Sequence, residues 1–176
     1  MTILHSKKVV FWLTGLSGAG KTTLAQTLHS YFKIMHVPSY VIDGDEIRKS
    51  ICADLSFSES ARSENARRVS HLCNMFLDSH IVPIVSLITP KAEDRYKAKE
   101  IIKGVFVEVY VECPIETCAE RDPKGLYKRV TNGEILNFTG ISAEYEIPQN
   151  PSLTLHTKDA KIGDCVEQLL EYWKTL

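Results

Sequence analysis

The segment Gly15-Leu16-Ser17-Gly18-Ala19-Gly20-Lys21-Thr22 limits the folds open to this chain, because it matches the phosphate-binding pattern G-x-x-x-x-G-K-[ST] at every position. Its glycines permit backbone conformations in which successive N–H groups converge on one anion. Lys21 would reach the β- and γ-phosphates, and the Thr22 hydroxyl is placed to ligate Mg²⁺. A short apolar run at 9–13 precedes the segment and apolar residues at helical spacing follow it, so the pattern predicts a loop between a strand and a helix N-terminus. We therefore predict a nucleoside-triphosphate site rather than an ordinary Gly/Ser turn.

Length and composition predict one ordinary globular domain spanning residues 1–176. The chain is 44% hydrophobic and 24% charged, with a net charge of −1. Near-neutral charge gives no broad basic surface for nucleic acid. Residues 1–8 lack the layout of a signal peptide, and the apolar run that follows is too short to span a membrane, so we expect a cytoplasmic protein with no membrane partner. The five cysteines show neither C-x-x-C nor zinc spacing, which favours free thiols in a reducing compartment.

Strand-like and helical segments alternate along the whole chain. Strands are predicted at 9–13, 40–42, 81–88, 105–111 and 153–156, and helices at 22–32, 61–78, 90–102, 114–121 and 162–173. The helix at 90–102 is strongly charged and is expected to be solvated. Pro83 lacks an N–H donor and should lie near the start of its strand or at an irregularity. The alternation predicts a three-layer α/β domain with a mainly parallel sheet, with ligands bound beyond the carboxyl ends of the strands.

Carboxylates follow the second predicted strand in Asp43-Gly44-Asp45, where they would face the phosphates. Asp43 could orient Mg²⁺ or accept the proton of an attacking hydroxyl, and Arg48 could pair with an anionic group of the acceptor. The alternative is an Asx turn that caps a helix, which we expect more for Asp45 than for Asp43. A guanine-reading N-K-x-D stretch and a Walker-B strand ending in Asp-Glu are both absent from the sequence.

Two basic segments follow. Arg62 and Asn65 are three residues apart and share a helix face, whereas Arg67 and Arg68 are expected on a solvated face. The segment 121–140 is basic and punctuated by glycine and proline. This composition suits a lid that closes on phosphates, and it equally suits an ordinary surface loop.

Taken together, these residues resemble the adenylylsulfate (APS) kinase family, in order from about residue 9 to 157. The motifs that carry the resemblance are Gly15–Thr22, Asp43-Gly44-Asp45 with Arg48, Asp54-Leu55-x-Phe57-Ser58, Arg62 with Asn65, Arg67-Arg68, Arg121-Asp122-Pro123-Lys124-Gly125-Leu126-Tyr127, Phe138-Thr139-Gly140-Ile141 and Tyr145-Glu146-x-Pro148-x-Asn150-Pro151. The resemblance implies a P-loop kinase fold and a homodimeric phosphotransferase of sulfate assimilation or sulfation. Such an enzyme transfers the γ-phosphate of MgATP to the 3′-hydroxyl of adenosine 5′-phosphosulfate.

The resemblance also implies roles for single residues. Lys21 and Asp43 would be catalytic, and Thr22 and Asp43 would hold Mg²⁺. The ATP-binding set would be Gly15, Ser17, Gly18, Ala19, Gly20, Lys21, Thr22, Thr23 and Arg121. The acceptor-binding set would be Asp43, Asp45, Arg48, Phe57, Arg62, Asn65, Ile88, Lys124 and Phe138. Phe57 and Phe138 would sandwich the adenine, since both lie in polar loop stretches rather than in apolar runs. Arg121 and 124–128 would form the lid.

Several positions depart from the family pattern on the acceptor side. Glu46 replaces Asn, Ser56 replaces Gly, and Ala61 replaces Asp; Thr89 and Lys91 replace Ser and Tyr. Thr89 stands where some family members carry a phosphorylatable serine. These changes permit a second hypothesis, a kinase of the same family acting on another nucleotide conjugate such as cytidine diphosphoramidate in capsule biosynthesis. A third hypothesis, a regulatory nucleotide-binding module without turnover, is not favoured because Lys21, Thr22 and Asp43 are all present.

Overall fold

The computed structural model describes residues 7–176, and its centre is a five-stranded sheet in which every pairing is parallel. The strands are β1 (Val9–Thr14), β2 (Ser39–Asp43), β3 (Val82–Ser86), β4 (Val105–Glu112) and β5 (Leu153–His156), in the spatial order β2-β3-β1-β4-β5. The helices are α1 (Lys21–Ile34), α2 (Gly44–Lys49), α3 (Glu59–Asp78), α4 (Ala92–Ile101), α5 (Ile115–Arg121), α6 (Leu126–Thr131) and α7 (Ile162–Thr175). The predicted α/β fold with a parallel sheet is confirmed. The expectation about a signal peptide rests largely on residues 1–6, which lie outside the described residues.

Strand β1 explains why the sheet has two covered faces. All six of its residues are buried, which is the continuous apolar pattern of a central parallel strand. One face packs against α1 and α7 in a core that includes Phe11, Phe32 and Trp173. The other face packs against α3 and α4 around Trp12 and Val69. Helices on both faces give the three layers that the alternation predicted.

The carboxyl ends of three neighbouring strands meet at one edge of the sheet. Strand β1 ends at Thr14, directly before the glycine-rich segment, β2 ends at Asp43, and β3 ends at Ser86. Parallel strands bring these ends together although the residues are far apart in sequence. The fold therefore places the phosphate-binding pattern and the Asp43 carboxylate side by side.

The prediction that helix α4 is solvated is wrong for one face of the helix. Arg95 is 3% exposed and Asp94 is 4% exposed. The Arg95 guanidinium forms an ion pair with Glu108 at 2.8 Å and donates to the backbone carbonyl of Thr89 at 2.9 Å. A buried charge is tolerated when it is paired and hydrogen-bonded in this way, so charge content alone did not reveal the face.

Pro83 lies where its missing donor costs little, as predicted. It is the second residue of β3, and the register between β1 and β3 begins only at Phe11 and Ile84. The five cysteines are free and buried, in agreement with the prediction of unpaired thiols. Over residues 7–176 the structure contains no helix that is both long and apolar enough to cross a membrane.

Candidate active site

The glycine-rich segment wraps closely around neighbouring backbone. Gly15 and Gly18 have φ angles of 148° and 80°, which L side chains rarely adopt. A Cβ at Gly15 would overlap the carbonyl oxygen of Val111, and one at Gly18 would lie 2.8 Å from the carbonyl oxygen of Cys118. These two positions therefore require glycine for space as well as for conformation, and helix α1 begins directly after the loop at Lys21.

The Lys21 side chain folds back against the backbone of the glycine-rich loop that precedes it. Its ammonium group donates to the carbonyl oxygens of Gly15 at 2.8 Å and Leu16 at 2.7 Å, and the residue is 8% exposed. Burial, together with the nearby charge of Lys124, lowers the Lys21 pKa to about 8. An anion bound in the loop would stabilise the charged form of Lys21, and the charged ammonium group would in turn bind the anion.

Thr22, Asp43 and Ser86 form one oxygen-rich cluster beside the loop. The Thr22 hydroxyl donates to Oδ2 of Asp43 at 2.7 Å and lies 3.2 Å from the Ser86 hydroxyl. Hard oxygen ligands of this kind suit Mg²⁺, which keeps several waters and takes only one or two protein carboxylates beside substrate phosphates. No group of three His, Cys, Asp or Glu side chains in the described part of the chain forms a self-sufficient metal cage. The cluster fits a magnesium ion that arrives with a phosphate ligand.

Asp43 also caps helix α2, which corrects the expectation that Asp45 would be the capping residue. Oδ1 of Asp43 accepts from the backbone N–H of Asp45 at 3.0 Å. Asp43 has extended backbone angles, which are those of an N-cap residue, whereas Asp45 already lies within the first turn. The two oxygens of Asp43 are thus divided between helix α2 and Thr22.

Residues 121–140 lie over the phosphate loop and contain helix α6. The Tyr127 hydroxyl donates to the Ser17 carbonyl at 2.9 Å, and Lys124 forms an ion pair with Asp45 of helix α2. The carboxylate of Asp122 accepts from the backbone N–H groups of Tyr127 and Lys128, both at 3.1 Å, and so fixes the start of α6. These contacts anchor the segment on both the loop and helix α2. Its closure over ATP stays a prediction.

Arg121 lies at the other side of the same loop. Its guanidinium donates to the carbonyl oxygens of Thr157 and Lys158. Thr157 in turn donates from its hydroxyl to the Ala19 carbonyl at 2.8 Å. Arg121 is therefore linked to the phosphate loop through the segment that follows β5.

Two arginines gather on the opposite side, beside helix α2 and the start of α3. The Arg48 guanidinium lies 4.4 Å from the centre of the Phe57 ring, and Arg62 donates to the Phe57 carbonyl at 3.0 Å. Arg62 also donates to the Asn137 carbonyl at 2.7 Å and to the Thr139 hydroxyl. Burial lowers the pKa of both arginines, and Arg62 lowers that of Arg48 further by repulsion. Clustered cations of this kind attract an anion.

The two predicted stacking aromatics differ in burial. Phe57 is 65% exposed, whereas Phe138 is 7% exposed and belongs to the hydrophobic core. The Phe138 ring contacts the Tyr127 ring edge to face at 4.9 Å between centroids. The argument that a polar loop keeps both rings out of the core is therefore wrong for Phe138, because helix α6 folds back and covers it.

Asn65 and Ile88 complete the predicted acceptor residues. Asn65 is 5% exposed, and its Oδ1 has no hydrogen-bond partner within the described residues. A buried amide oxygen left in this state can accept from a ligand. The Ile88 carbonyl accepts from the Thr14 hydroxyl at 2.6 Å.

Side chains at the positions that depart from the family pattern find ion-pair or hydrogen-bond partners nearby. Glu46 pairs with Lys49 on the exposed side of α2, and Lys91 pairs with Glu146 at 3.2 Å. Thr89 is 7% exposed and accepts from Nε1 of Trp12 at 3.1 Å. A kinase could not reach that hydroxyl in the folded protein. Arg68, which was assigned to a solvated face, makes a two-point ion pair at the surface with the exposed carboxylate of Asp54.

Sequence reasoning missed the buried polar groups next to this site. Arg95, Glu108 and Thr14 were given no role, and Tyr145 was noted only within a motif. Arg95 reads as surface charge, and Thr14 reads as the last residue of an apolar strand. Only the pairing of strands and the packing of α4 bring them together.

The loop, the carboxylate at the end of the next strand and the parallel sheet together define a P-loop phosphotransferase. A profile described as adenylylsulphate kinase matches residues 7–156. The adenylyl-sulfate kinase of Clostridium acetobutylicum is 45% identical over 172 residues, which is 98% of this chain and 86% of that protein. This chain belongs to the adenylylsulphate kinase family.

Solved structures agree with this assignment. The Mycobacterium tuberculosis APS kinase in complex with AMPPNP and APS has a TM-score of 0.91 at 38% identity, covering 96% of this chain and 98% of that one. A hexameric APS kinase from Thiobacillus denitrificans has a TM-score of 0.72 at 26% identity and covers 97% of this chain and 29% of its own. The family predicted from the sequence motifs is thus confirmed.

Proposed function

We propose that this protein transfers the γ-phosphoryl group of ATP to the 3′-hydroxyl of adenosine 5′-phosphosulfate, giving 3′-phosphoadenylyl sulfate. The observation that carries the proposal is the Thr22–Asp43 hydrogen bond. This bond joins the carboxylate to the phosphate loop, and the same side chain caps the helix that carries Arg48. A nucleotide with its own anionic group would bind beside Arg48 and Arg62, and its hydroxyl would face Asp43.

On the ATP side, the loop amides from Gly15 to Thr22 bind the phosphates and Lys21 gives up its two backbone carbonyl contacts to bind the γ-phosphate. Thr22 and Asp43 would hold Mg²⁺ through their side-chain oxygens. When bound, this ion supplies charge neutralisation at the β- and γ-phosphates. Thr23 and Arg121 contact the remainder of ATP.

Asp43 acts at the acceptor hydroxyl. Because Oδ2 faces Thr22 and Oδ1 faces helix α2, the carboxylate is held in one orientation from both sides. It orients the hydroxyl for in-line attack and takes its proton, or keeps the metal in place, while catalysis rests mainly on positioning and charge.

On the acceptor side, Arg48 and Arg62 bind the phosphosulfate group through charge-assisted hydrogen bonds. Asn65 accepts from the nucleoside through its unpaired Oδ1. Phe57 would stack on one face of the base, and Phe138 would stack on the other once the lid that covers its ring moves. Arg62 already bridges the two segments that carry these rings, so the acceptor would enter at that junction.

The lid connects the two halves of the site. Lys124 pairs with Asp45 and also lies close enough to Lys21 to lower its pKa. On binding, Lys124 would exchange Asp45 for a phosphate oxygen, so that closure excludes water and adds positive charge at the same time.

The test is ATP-dependent phosphorylation by the purified protein with Mg²⁺, using adenosine 5′-phosphosulfate and cytidine diphosphoramidate as parallel acceptors. Lys21→Ala serves as the matched inactive control. Efficient turnover of adenosine 5′-phosphosulfate supports the proposal. Turnover of the cytidine compound alone would assign the acceptor-side departures to a change of substrate. No transfer to either compound, with ATP binding retained, would support a regulatory module instead.

We further propose that the protein acts as a cytoplasmic homodimer. The family assignment supports the homodimer, and the free, buried cysteines support a reducing compartment such as the cytoplasm. Light scattering of the purified chain measures its mass directly, and a mass of one chain, or of six, would contradict the dimer.

A further inference from the structure

A short chain of hydrogen bonds joins the segment after the lid to the acceptor side of the site. The Tyr145 hydroxyl lies 2.9 Å from the Thr14 hydroxyl, which donates to the Ile88 carbonyl at 2.6 Å. Thr14 has one hydroxyl hydrogen and gives it to Ile88, so Tyr145 is the donor in the other bond. Burial raises the Tyr145 pKa, so this hydroxyl stays protonated.

The same buried arginine contacts the backbone at both ends of this series of hydrogen bonds. Arg95 donates to the Thr89 carbonyl at 2.9 Å, next to Ile88, and to the Glu146 carbonyl at 2.7 Å, next to Tyr145. Its guanidinium also lies 5.8 Å from the centre of the Tyr145 ring. The ion pair with Glu108 of strand β4 fixes the guanidinium to the sheet. Arg95 therefore links the backbone beside Ile88 to the backbone beside Tyr145.

Thr14 is the fixed point between them. It is fully buried at the end of β1, where it pairs with Tyr110 of β4, and the next residue is Gly15. The backbone of Thr14 is held by the sheet and does not depend on its hydroxyl. The hydrogen bond from the Thr14 hydroxyl therefore fixes the position of the Ile88 carbonyl relative to the phosphate loop.

We propose that Tyr145 is a positioning residue for the acceptor nucleotide, acting through Thr14 to hold Ile88 in register with the phosphate loop. The inference rests on the proposed function and on the acceptor-binding role that the family resemblance implies for Ile88. Tyr145 does not touch the reacting atoms. Its loss should weaken acceptor binding and leave the ATP half of the site unchanged, because the loop backbone is held by the sheet.

The experiment compares Tyr145→Phe and Thr14→Val, each of which removes one hydroxyl and keeps the side-chain shape. Tyr110→Phe is the matched control, because its ring stacks on Tyr145 at 6.0 Å while its hydroxyl has no hydrogen bond among residues 7–176. Steady-state kinetics are measured with adenosine 5′-phosphosulfate and ATP varied separately. We expect the acceptor KM of both test variants to rise roughly threefold to tenfold, the effect of losing one hydrogen bond, with kcat and the KM for ATP unchanged.

The double variant adds an independent readout. If the two hydroxyls act in one chain, Tyr145→Phe in the Thr14→Val background should raise the acceptor KM no further. An unchanged acceptor KM in Tyr145→Phe would overturn the inference, and so would an equal rise in the KM for ATP or in the Tyr110→Phe control. Should Thr14→Val fail to fold, Tyr145→Phe against Tyr110→Phe still decides the question. Absence of turnover in the unmodified protein would instead refute the proposed function.

Discussion

Replacing Asp43 by Asn separates the structural role of this side chain from its chemical role. The amide oxygen of Asn can still accept from the N–H of Asp45, and Asn caps helices as well as Asp does. We therefore expect the free energy of unfolding of Asp43→Asn to stay within about 0.5 kcal/mol of that of the unmodified protein. The variant has no carboxylate to accept a proton or to hold Mg²⁺, so kcat should fall roughly 10²- to 10⁴-fold.

The comparison variant is Asp43→Ala, which removes the cap as well. Loss of an N-cap costs about 1 kcal/mol, which for a chain of this size lowers Tm by about 2–4 °C. Both variants should be equally inactive while only Asp43→Ala is less stable. Thermal unfolding and phosphoryl-transfer assays on the same preparations test this. Near-normal turnover in Asp43→Asn would refute the role assigned to the carboxylate.

Three further predictions follow from the same geometry. Arg62→Ala should raise the acceptor KM roughly tenfold or more, because a charge-assisted hydrogen bond is lost. Arg67 is exposed on the same helix, so Arg67→Ala should leave the acceptor KM unchanged. Equal effects of the two substitutions would place the acceptor elsewhere. The Lys21 pKa of about 8 lies below its ordinary value of 10.5, so the unfolded chain binds more protons between these pH values and this residue makes stability rise with pH there. In urea titrations from pH 7 to 10.5, the free energy of unfolding of the unmodified protein should rise relative to that of Lys21→Met, and a constant difference between the two would contradict the lowered pKa. Arg95→Met should cost about 3–5 kcal/mol, because it leaves the Glu108 carboxylate unpaired, and a loss below about 1 kcal/mol in urea unfolding would show that the pair is not stabilising.

The acceptor side shows where the reasoning from sequence failed. The polar context of Phe138 predicted a loop aromatic, yet the ring lies in the core because helix α6 covers it. The capping role was expected of Asp45 and belongs to Asp43, since the helix begins two residues earlier than a cap at Asp45 would require. Each error concerns which partner a polar or aromatic residue meets, and that is a matter of packing between distant segments.

Local patterns in the sequence were sufficient for the five strands and for five of the seven described helices, whereas the short helices α2 and α6 were not predicted. The apolar runs mark buried parallel strands, and the glycine-rich segment marks the turn from β1 into α1, so both can be read from neighbouring residues. The tertiary structure alone decided that Asp43 meets Thr22, that Arg95 is buried against Glu108, and that Tyr145 reaches Thr14. These contacts join residues far apart in the chain, and their geometry depends on strand order and helix packing, which no local pattern encodes.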